Sequence, residues 1–119
     1  MSDFESYYRK IGAMNDAFRR SLKGGRVETT AGIDALNTYT QMCAFQLVRD
    51  AKSLSGHTDP FDERDFGAFA IGAHRLIWKI EYLDTDTGGK STDPSNPNIT
   101  TRVLKLMLAD EYCREPISP

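Results

Sequence analysis

The chain has 119 residues, of which 39% are hydrophobic and 27% charged, and its formal net charge is −2. This length suits one domain with its own core, and the composition is too apolar for a disordered chain. The apolar runs are far shorter than the roughly 20 residues of a membrane helix, and the acidic start, residues 1–5, differs from a secretory signal. We therefore expect a cytoplasmic protein with no membrane partner.

The first half of the chain predicts helix, strand and helix. Residues 2–22 form the first predicted helix, with Ser2 as N-cap, Glu5 as its capping-box partner and apolar residues at helical spacing. Gly24 and Gly25 end it. Residues 26–31 alternate and are β-prone, which predicts a short strand, and residues 33–53 are predicted to form a second helix.

The second half predicts a hairpin and a last helix. A loop over residues 57–65 precedes two β-prone segments, 66–71 and 75–82, which flank Gly72 and predict a β-hairpin. A long polar loop covers residues 84–98, and residues 99–114 carry an apolar stripe that predicts a third helix. The predicted fold is α+β in the order α-β-α-β-β-α, a three-stranded antiparallel sheet with three helices, in a single domain over residues 1–119.

No pattern of residues predicts a metal, a cofactor or catalysis. The segment 84–89 has Asp at two calcium-loop positions, but Gly88 stands at the fifth position, where an EF-hand needs Asp or Asn, and Ser95 at the twelfth, where it needs Glu. His57 precedes Asp59 by two residues, yet no nucleophile is paired with them. Cys43 and Cys113 fit packed thiols better than zinc ligands. We therefore expect a protein that is not an enzyme.

Basic residues gather near the end of the first predicted helix. This cluster could contact nucleic-acid phosphates, but cations also favour the last turn of a helix because they offset its negative dipole end. Nucleic-acid binding is accordingly the alternative function, with these candidate residues: Arg19, Arg20, Lys23 and Arg26.

Acidic residues gather in the two predicted loops. Because antiparallel pairing places the start of one hairpin strand beside the end of the other, the loops are expected to form one acidic patch. Such a patch would dock onto a basic protein surface, although the carboxylates could also serve only to solvate the loops. The candidate partner-binding residues are Asp59, Asp62, Glu63 and Asp65 in the first loop and Asp84, Asp86 and Asp93 in the second.

Several segments resemble the bacterial family catalogued as domain of unknown function 3768. They span residues 15–112 and comprise residues 15–20, 24–27, 30–33, 59–60, 63–69, 78–82, 100–104, 107–109 and 111–112. Arg64 stands where the family favours His, and Glu81 where it favours Asp. The resemblance implies a compact bacterial protein, often carried by mobile elements, and brings no activity, cofactor or catalytic residue.

The leading functional hypothesis is a non-enzymatic protein-binding factor from a mobile element or phage. Such elements encode small inhibitors of host defence systems such as CRISPR-Cas, which dock onto a subunit of the host complex. The alternatives are a nucleic-acid-binding regulator and a small enzyme that uses the acidic loops. The sequence leaves the oligomeric state open.

Overall fold

A computed structural model describes residues 3–51 and 61–112. Its elements in chain order are α1 (Asp3–Ser21), β1 (Gly25–Thr29), α2 (Ala31–Asp34), α3 (Thr38–Asp50), β2 (Phe66–Ile71), β3 (His74–Asp84), β4 (Thr100–Leu108) and α4 (Ala109–Tyr112). The α+β class and the single sheet agree with the sequence prediction, whereas the numbers of strands and helices do not.

The sheet has four strands in the order β1-β4-β3-β2. β1 runs parallel to β4, while the β4–β3 and β3–β2 pairs are antiparallel. The prediction of a three-stranded antiparallel sheet is therefore wrong, since the sheet is mixed and β4 is its additional strand.

The predicted helix over residues 99–114 is instead β4, followed by the single turn of α4. β4 lies between two neighbours and is buried on both faces, so adjacent residues such as Val103 and Leu104 are both fully enclosed. A strand buried on both faces loses the alternation of apolar and polar residues and looks like a helix in sequence. The β-branched residues Thr100, Thr101 and Val103 were the opposing signal.

The predicted second helix, 33–53, divides into α2 and α3. Asn37 separates them because its side chain accepts a hydrogen bond from the backbone N–H of Thr40 at 2.8 Å, which caps the start of α3. α3 ends at Asp50. The last two predicted helical residues, 52 and 53, lie outside the described residues.

The predicted hairpin is confirmed and is longer than expected. Its strands pair from Phe66–Lys79 to Ile71–His74, and Gly72 occupies the two-residue turn with φ of 57°. β3 then continues to Asp84, past Phe66, the first residue of β2.

One face of the sheet holds the main core. Alternate residues of β3 and β4 meet there, and α1, α2 and α3 cover them. The buried members of this core are Phe18, Ile33, Ala44, Val48, Leu76, Trp78, Ile80, Leu104 and Leu106. Trp78 of β3, at 2% exposure, is the largest apolar side chain of this core.

Candidate partner-binding cleft

A cleft opens on the edge of β3 beyond Phe66, where β2 begins. On one side of it the segment 61–65, here called the arm, contacts β3 through the Asp65 carbonyl, which accepts from the Ile80 N–H at 2.8 Å. On the other side the β3–β4 loop, residues 85–99, folds back so that the Ser91 N–H donates to the Tyr82 carbonyl at 3.0 Å. The cleft between them encloses about 900 Å³.

Aromatic rings form one wall of the cleft. Phe61 of the arm stacks on Tyr8 of α1, with 4.8 Å between ring centroids, and Phe4 and Tyr7 pack edge-on beside Tyr8. We call these four residues the aromatic cluster. Phe4 and Phe61 are about half exposed, so the cluster presents apolar rings to solvent beside the cleft, and Tyr7, Tyr8 and Phe61 line it directly.

The floor of the cleft is a polar network that reaches into the core. The Tyr82 hydroxyl accepts from Asn15 Nδ2 at 2.8 Å and donates to Glu63 Oε1 at 3.0 Å. Asn15, which is fully buried, accepts from Arg102 Nε at 2.7 Å, and Arg102 also donates to the Pro94 carbonyl at 2.8 Å. One network thus links α1, the arm, β3, β4 and the β3–β4 loop.

Burial sets the protonation of the ionisable groups in this network. Removal from water raises the pKa of the Tyr82 hydroxyl, so it stays protonated and can keep donating to Glu63. Burial also lowers the pKa of Arg102, opposed by the nearby Tyr82 and Glu63. Arg102 lies over the Tyr82 ring at 5.2 Å, where the face of the ring attracts its charge.

A second set of ionic contacts fixes the arm to α1. Asp16 accepts from Arg19 Nη1 at 2.9 Å through one carboxylate oxygen and from Arg64 Nη1 at 2.6 Å through the other. Both oxygens of this nearly buried carboxylate are therefore engaged. Since Arg64 lies in the arm, this ion pair holds the acidic segment next to the helix.

The predicted acidic residues fall at different places around the cleft. Glu63 and Asp65 line it, and Asp62 lies beside it, 3.5 Å from Arg64. Asp65 is level with Ile80, whereas Asp84 lies four residues farther along β3, about 13 Å at a strand's rise per residue. Asp59 lies outside the described residues.

The acidic residues of the β3–β4 loop order the loop itself. Asp84 accepts from the backbone N–H groups of Asp86 and Thr87, both at 2.9 Å. Asp93 accepts from the Tyr7 hydroxyl at 2.8 Å and the Ser95 hydroxyl at 2.6 Å. These bonds lower the pKa of both carboxyls, and in Asp84 the Thr87 N–H has the largest effect. Neither Asp84 nor Asp86 nor Asp93 lines the cleft.

The cleft lining carries more negative than positive charge. Three carboxylates, Glu63, Asp65 and Glu81, face it together with one ammonium group, Lys90, which leaves a formal charge of −2. Glu81 already lies 3.3 Å from both Lys79 and Lys105. The negative field of the cleft therefore comes mainly from the arm.

Comparison with protein families gives one match. The family model described as protein of unknown function (DUF3768) covers residues 29–111. The chain belongs to this family. Comparisons with curated proteins and with solved structures gave no match.

This DUF3768 chain does not hold its predicted basic residues in one patch. Arg19 is 2% exposed, and its guanidinium donates to the carbonyls of Val48 at 2.8 Å and Ala51 at 2.6 Å as well as to Asp16. It also lies 5.2 Å from the centre of the Trp78 ring. Arg19 is thus not available to a phosphate chain at the surface.

The other members of the predicted basic set are exposed. Arg26 lies 3.4 Å from Glu28, and Lys23 follows the end of α1. Arg20 lines a separate pocket between α1 and α3. The predicted basic residues that are exposed, and so accessible to a nucleic acid, are therefore Arg20, Lys23 and Arg26.

Sequence reasoning missed the aromatic cluster and the polar network. Phe4, Tyr7 and Tyr8 continue the apolar stripe of α1, which favoured an interpretation as core residues. A detectable signal was Arg102, a charge within the apolar run of β4, because a buried charge needs partners. Its partner Asn15 is 87 residues away in the chain, so no local pattern could identify the pair.

The described residues contain neither a cluster of His, Cys, Asp and Glu suited to a metal nor a helix able to cross a membrane. Cys43 is half-buried in α3, and Cys113 lies outside the described residues.

Proposed function

We propose that this protein is a non-enzymatic binding factor and that its cleft receives a basic segment of a partner protein. The observation that carries this proposal is the pairing of an exposed aromatic wall with arm carboxylates across about 900 Å³. Aromatic faces attract ammonium and guanidinium groups, and carboxylates accept their hydrogen bonds. A partner Lys or Arg side chain would therefore find both kinds of contact in one place.

The state of the polar floor supports binding over catalysis. The Tyr82 hydroxyl stays neutral and is hydrogen-bonded on both sides, so it is poorly suited to act as a nucleophile. Arg102 and Asn15 face each other and the β3–β4 loop. In this proposal the network is a rigid base that positions the arm and the aromatic cluster for a partner.

The proposed partner is a protein that normally handles nucleic acid, such as a subunit of a host CRISPR-Cas complex. Such proteins expose arginine and lysine for phosphate contacts, which suits an acidic cleft. The proposed outcome is inhibition by occupation of that basic surface, in keeping with the small size of the chain and the mobile-element setting that its resemblance implies.

The first experiment measures binding to a fluorescent arginine-rich peptide as the probe. We expect binding by the parent to weaken as salt rises, because the attraction is largely electrostatic. The double variant Phe61→Ala/Asp65→Asn should bind at least about tenfold more weakly, since it removes one ring and one charge from the cleft. It leaves the Asp65 carbonyl bond to Ile80 in place.

The matched control is Tyr39→Ala/Asp110→Asn, which removes one ring and one charge at exposed positions outside the cleft. It should bind like the parent. Equal loss of binding in both variants would contradict the cleft as the binding site.

A second experiment tests inhibition itself. The parent and both double variants are assayed against CRISPR-Cas interference in a bacterial host, with folding confirmed by circular dichroism. We expect inhibition by the parent and the control variant and its loss in the cleft variant. Peptide binding without inhibition of any host defence system would retain the cleft and reject the inhibitor role.

A further inference from the structure

A second concave site is lined by residues from the ends of α1 and α3 and by Arg64 of the arm. It encloses about 600 Å³, within the range of about 300–1,000 Å³ that is typical of small-molecule sites. Charged residues dominate its lining: four arginines and two carboxylates, which leaves a formal charge of +2. They are Arg19, Arg20, Arg49 and Arg64 with Asp16 and Asp50. We call this site the arginine pocket.

Two of the arginines and both carboxylates are engaged within the protein. Asp16 bridges Arg19 and Arg64, one carboxylate oxygen to each. Asp50 accepts from the side-chain amide of Gln46 at 3.0 Å. These contacts build a fixed wall whose guanidinium groups are already oriented.

Arg20 and Arg49 stand apart from these contacts. Each is exposed, on the last turn of a different helix, and neither has a hydrogen bond or ion pair to any residue of segments 3–51 and 61–112. Two cations on one pocket repel each other unless an anion lies between them.

The end of α3 does not by itself explain Arg49. Cations near a helix C-terminus are stabilising because they offset the exposed carbonyl groups. At the end of α3, however, Arg19 already donates to the carbonyls of Val48 and Ala51. The positive charge of Arg49 is therefore additional to what the end of α3 requires, and Arg20 brings a second charge from α1 to the same pocket.

We infer that the arginine pocket binds a small oxyanion of the phosphate class, held between Arg20 and Arg49 above the Asp16 bridge. Planar guanidinium groups bind phosphate oxygens in pairs of hydrogen bonds, which gives the site both affinity and geometry. The volume leaves room for the organic part of a phosphorylated small molecule. This ligand site is separate from the partner-binding cleft and does not depend on the cleft's function.

The test follows the thermal stability of the intact chain with added inorganic phosphate, against sodium chloride at equal ionic strength. A ligand that binds only the folded state raises the melting temperature in a concentration-dependent way. We expect phosphate to raise it and chloride not to. Equal effects of the two salts would overturn the inference, because simple screening would then account for both.

Variants separate binding at the pocket from binding elsewhere. We expect Arg20→Gln and Arg49→Gln each to weaken phosphate binding by about tenfold, as measured by calorimetry, because each removes a charge-assisted contact. Arg26→Gln is the matched control, since Arg26 is also exposed but lies on β1. Unchanged phosphate affinity in the Arg20→Gln/Arg49→Gln double variant would overturn the inference.

A single-stranded oligonucleotide is the last ligand to be tested, because its backbone carries the same phosphate chemistry. The small-ligand assignment requires inorganic phosphate to bind and to displace any oligonucleotide held by Arg20 and Arg49. Oligonucleotide binding that needs both arginines, without any binding of inorganic phosphate, would overturn it in favour of a nucleic-acid surface.

Discussion

Gly67 and Trp78 form a pair in which one residue's small size makes room for the other. They are directly opposite each other in the β2–β3 register. A Cβ atom at Gly67 would overlap the Trp78 indole ring, so the ring lies across the glycine backbone. A glycine inside a strand often marks such a close approach.

Replacement of this glycine should therefore be costly. We expect Gly67→Val to lower the free energy of unfolding by about 1–3 kcal/mol or more, because Trp78 must leave its place in the core. Urea denaturation measures the effect. Ala68→Val, at the neighbouring exposed position of β2, is the matched control and should be nearly neutral. A Gly67→Val protein as stable as its parent would contradict the overlap.

Removal of the indole tests the same contact from the other side. We expect Trp78→Ala to cost about 3–5 kcal/mol of stability, as large-to-small changes in a core do. Tyr39→Ala removes an aromatic ring that is 76% exposed and should change stability by less than about 0.5 kcal/mol. Similar melting temperatures for Trp78→Ala and the parent would mean that the core is assigned to the wrong face.

Arg19 and Arg20 show how adjacent basic residues can differ in role. Arg19 is enclosed and makes three hydrogen bonds, whereas Arg20 is exposed beside it. We expect Arg19→Met to cost about 3–5 kcal/mol, because it breaks a buried ion pair with Asp16. Arg20→Met should cost less than about 0.5 kcal/mol. Equal stabilities of the two variants in urea would contradict a structural role for Arg19.

At the scale of elements, local signals predicted α1, the hairpin and the polar loop, while β4 required knowledge of its neighbours. The alternation of apolar and polar residues along β3 was visible in the sequence because only one face of this strand contributes to the main core. β4 has no such alternation, since Val103 and Leu104 point to opposite faces and both are fully buried. What made β4 appear helical was its position between β1 and β3, which is a property of the fold.

The β3–β4 loop is ordered by its own carboxylates, and this makes its stability depend on pH. The backbone N–H groups of Thr87 and Asp86 lower the pKa of Asp84 below its ordinary value of 3.8. The folded state therefore binds this proton less readily than the unfolded state. The stabilisation is fully present above about pH 4 and is lost as the pH falls through the folded pKa.

Asp84→Asn should weaken the dependence of the free energy of unfolding on pH in the acid range. The Asn oxygen can still accept from the two N–H groups, but it does not ionise, so the free energy of unfolding should fall less steeply between about pH 4 and pH 2. Urea denaturation across this range measures the slope. Asp86→Asn is the control, because its carboxylate accepts no hydrogen bond from the rest of the described chain. An unchanged slope in Asp84→Asn would contradict the role of Asp84.

At the scale of the whole molecule, the candidate cleft depends on residues that are far apart in sequence. Asn15 contacts Tyr82 across 67 positions and Arg102 across 87. Sequence patterns identified the acidic arm but not the network that holds it, because that network forms only when α1 packs on the sheet. The same packing divides the predicted basic cluster, since it buries Arg19 and leaves Arg20 at the surface.

This arrangement makes α1 part of the folded unit, although the matched family region begins only at residue 29. α1 contributes Ile11 and Phe18 to the buried apolar residues and Asn15 and Arg19 to the buried polar contacts. A fragment of residues 24–119 would expose that face of the sheet and leave Arg102 without its Asn15 partner. We therefore expect the fragment to lack a cooperative thermal transition and a dispersed NMR spectrum.

A synthetic peptide of residues 3–21 provides the control for this truncation. If α1 acts by covering the sheet, the peptide should bind the fragment and restore a cooperative transition, because it returns both the apolar cover and the Asn15–Arg102 bond. A peptide with Asn15→Leu and Arg19→Leu should restore it far less, since it would lack the bond of Asn15 to Arg102 and the bonds of Arg19 to the Val48 and Ala51 carbonyls. A fragment that melts cooperatively without any peptide would show that the sheet folds independently of α1.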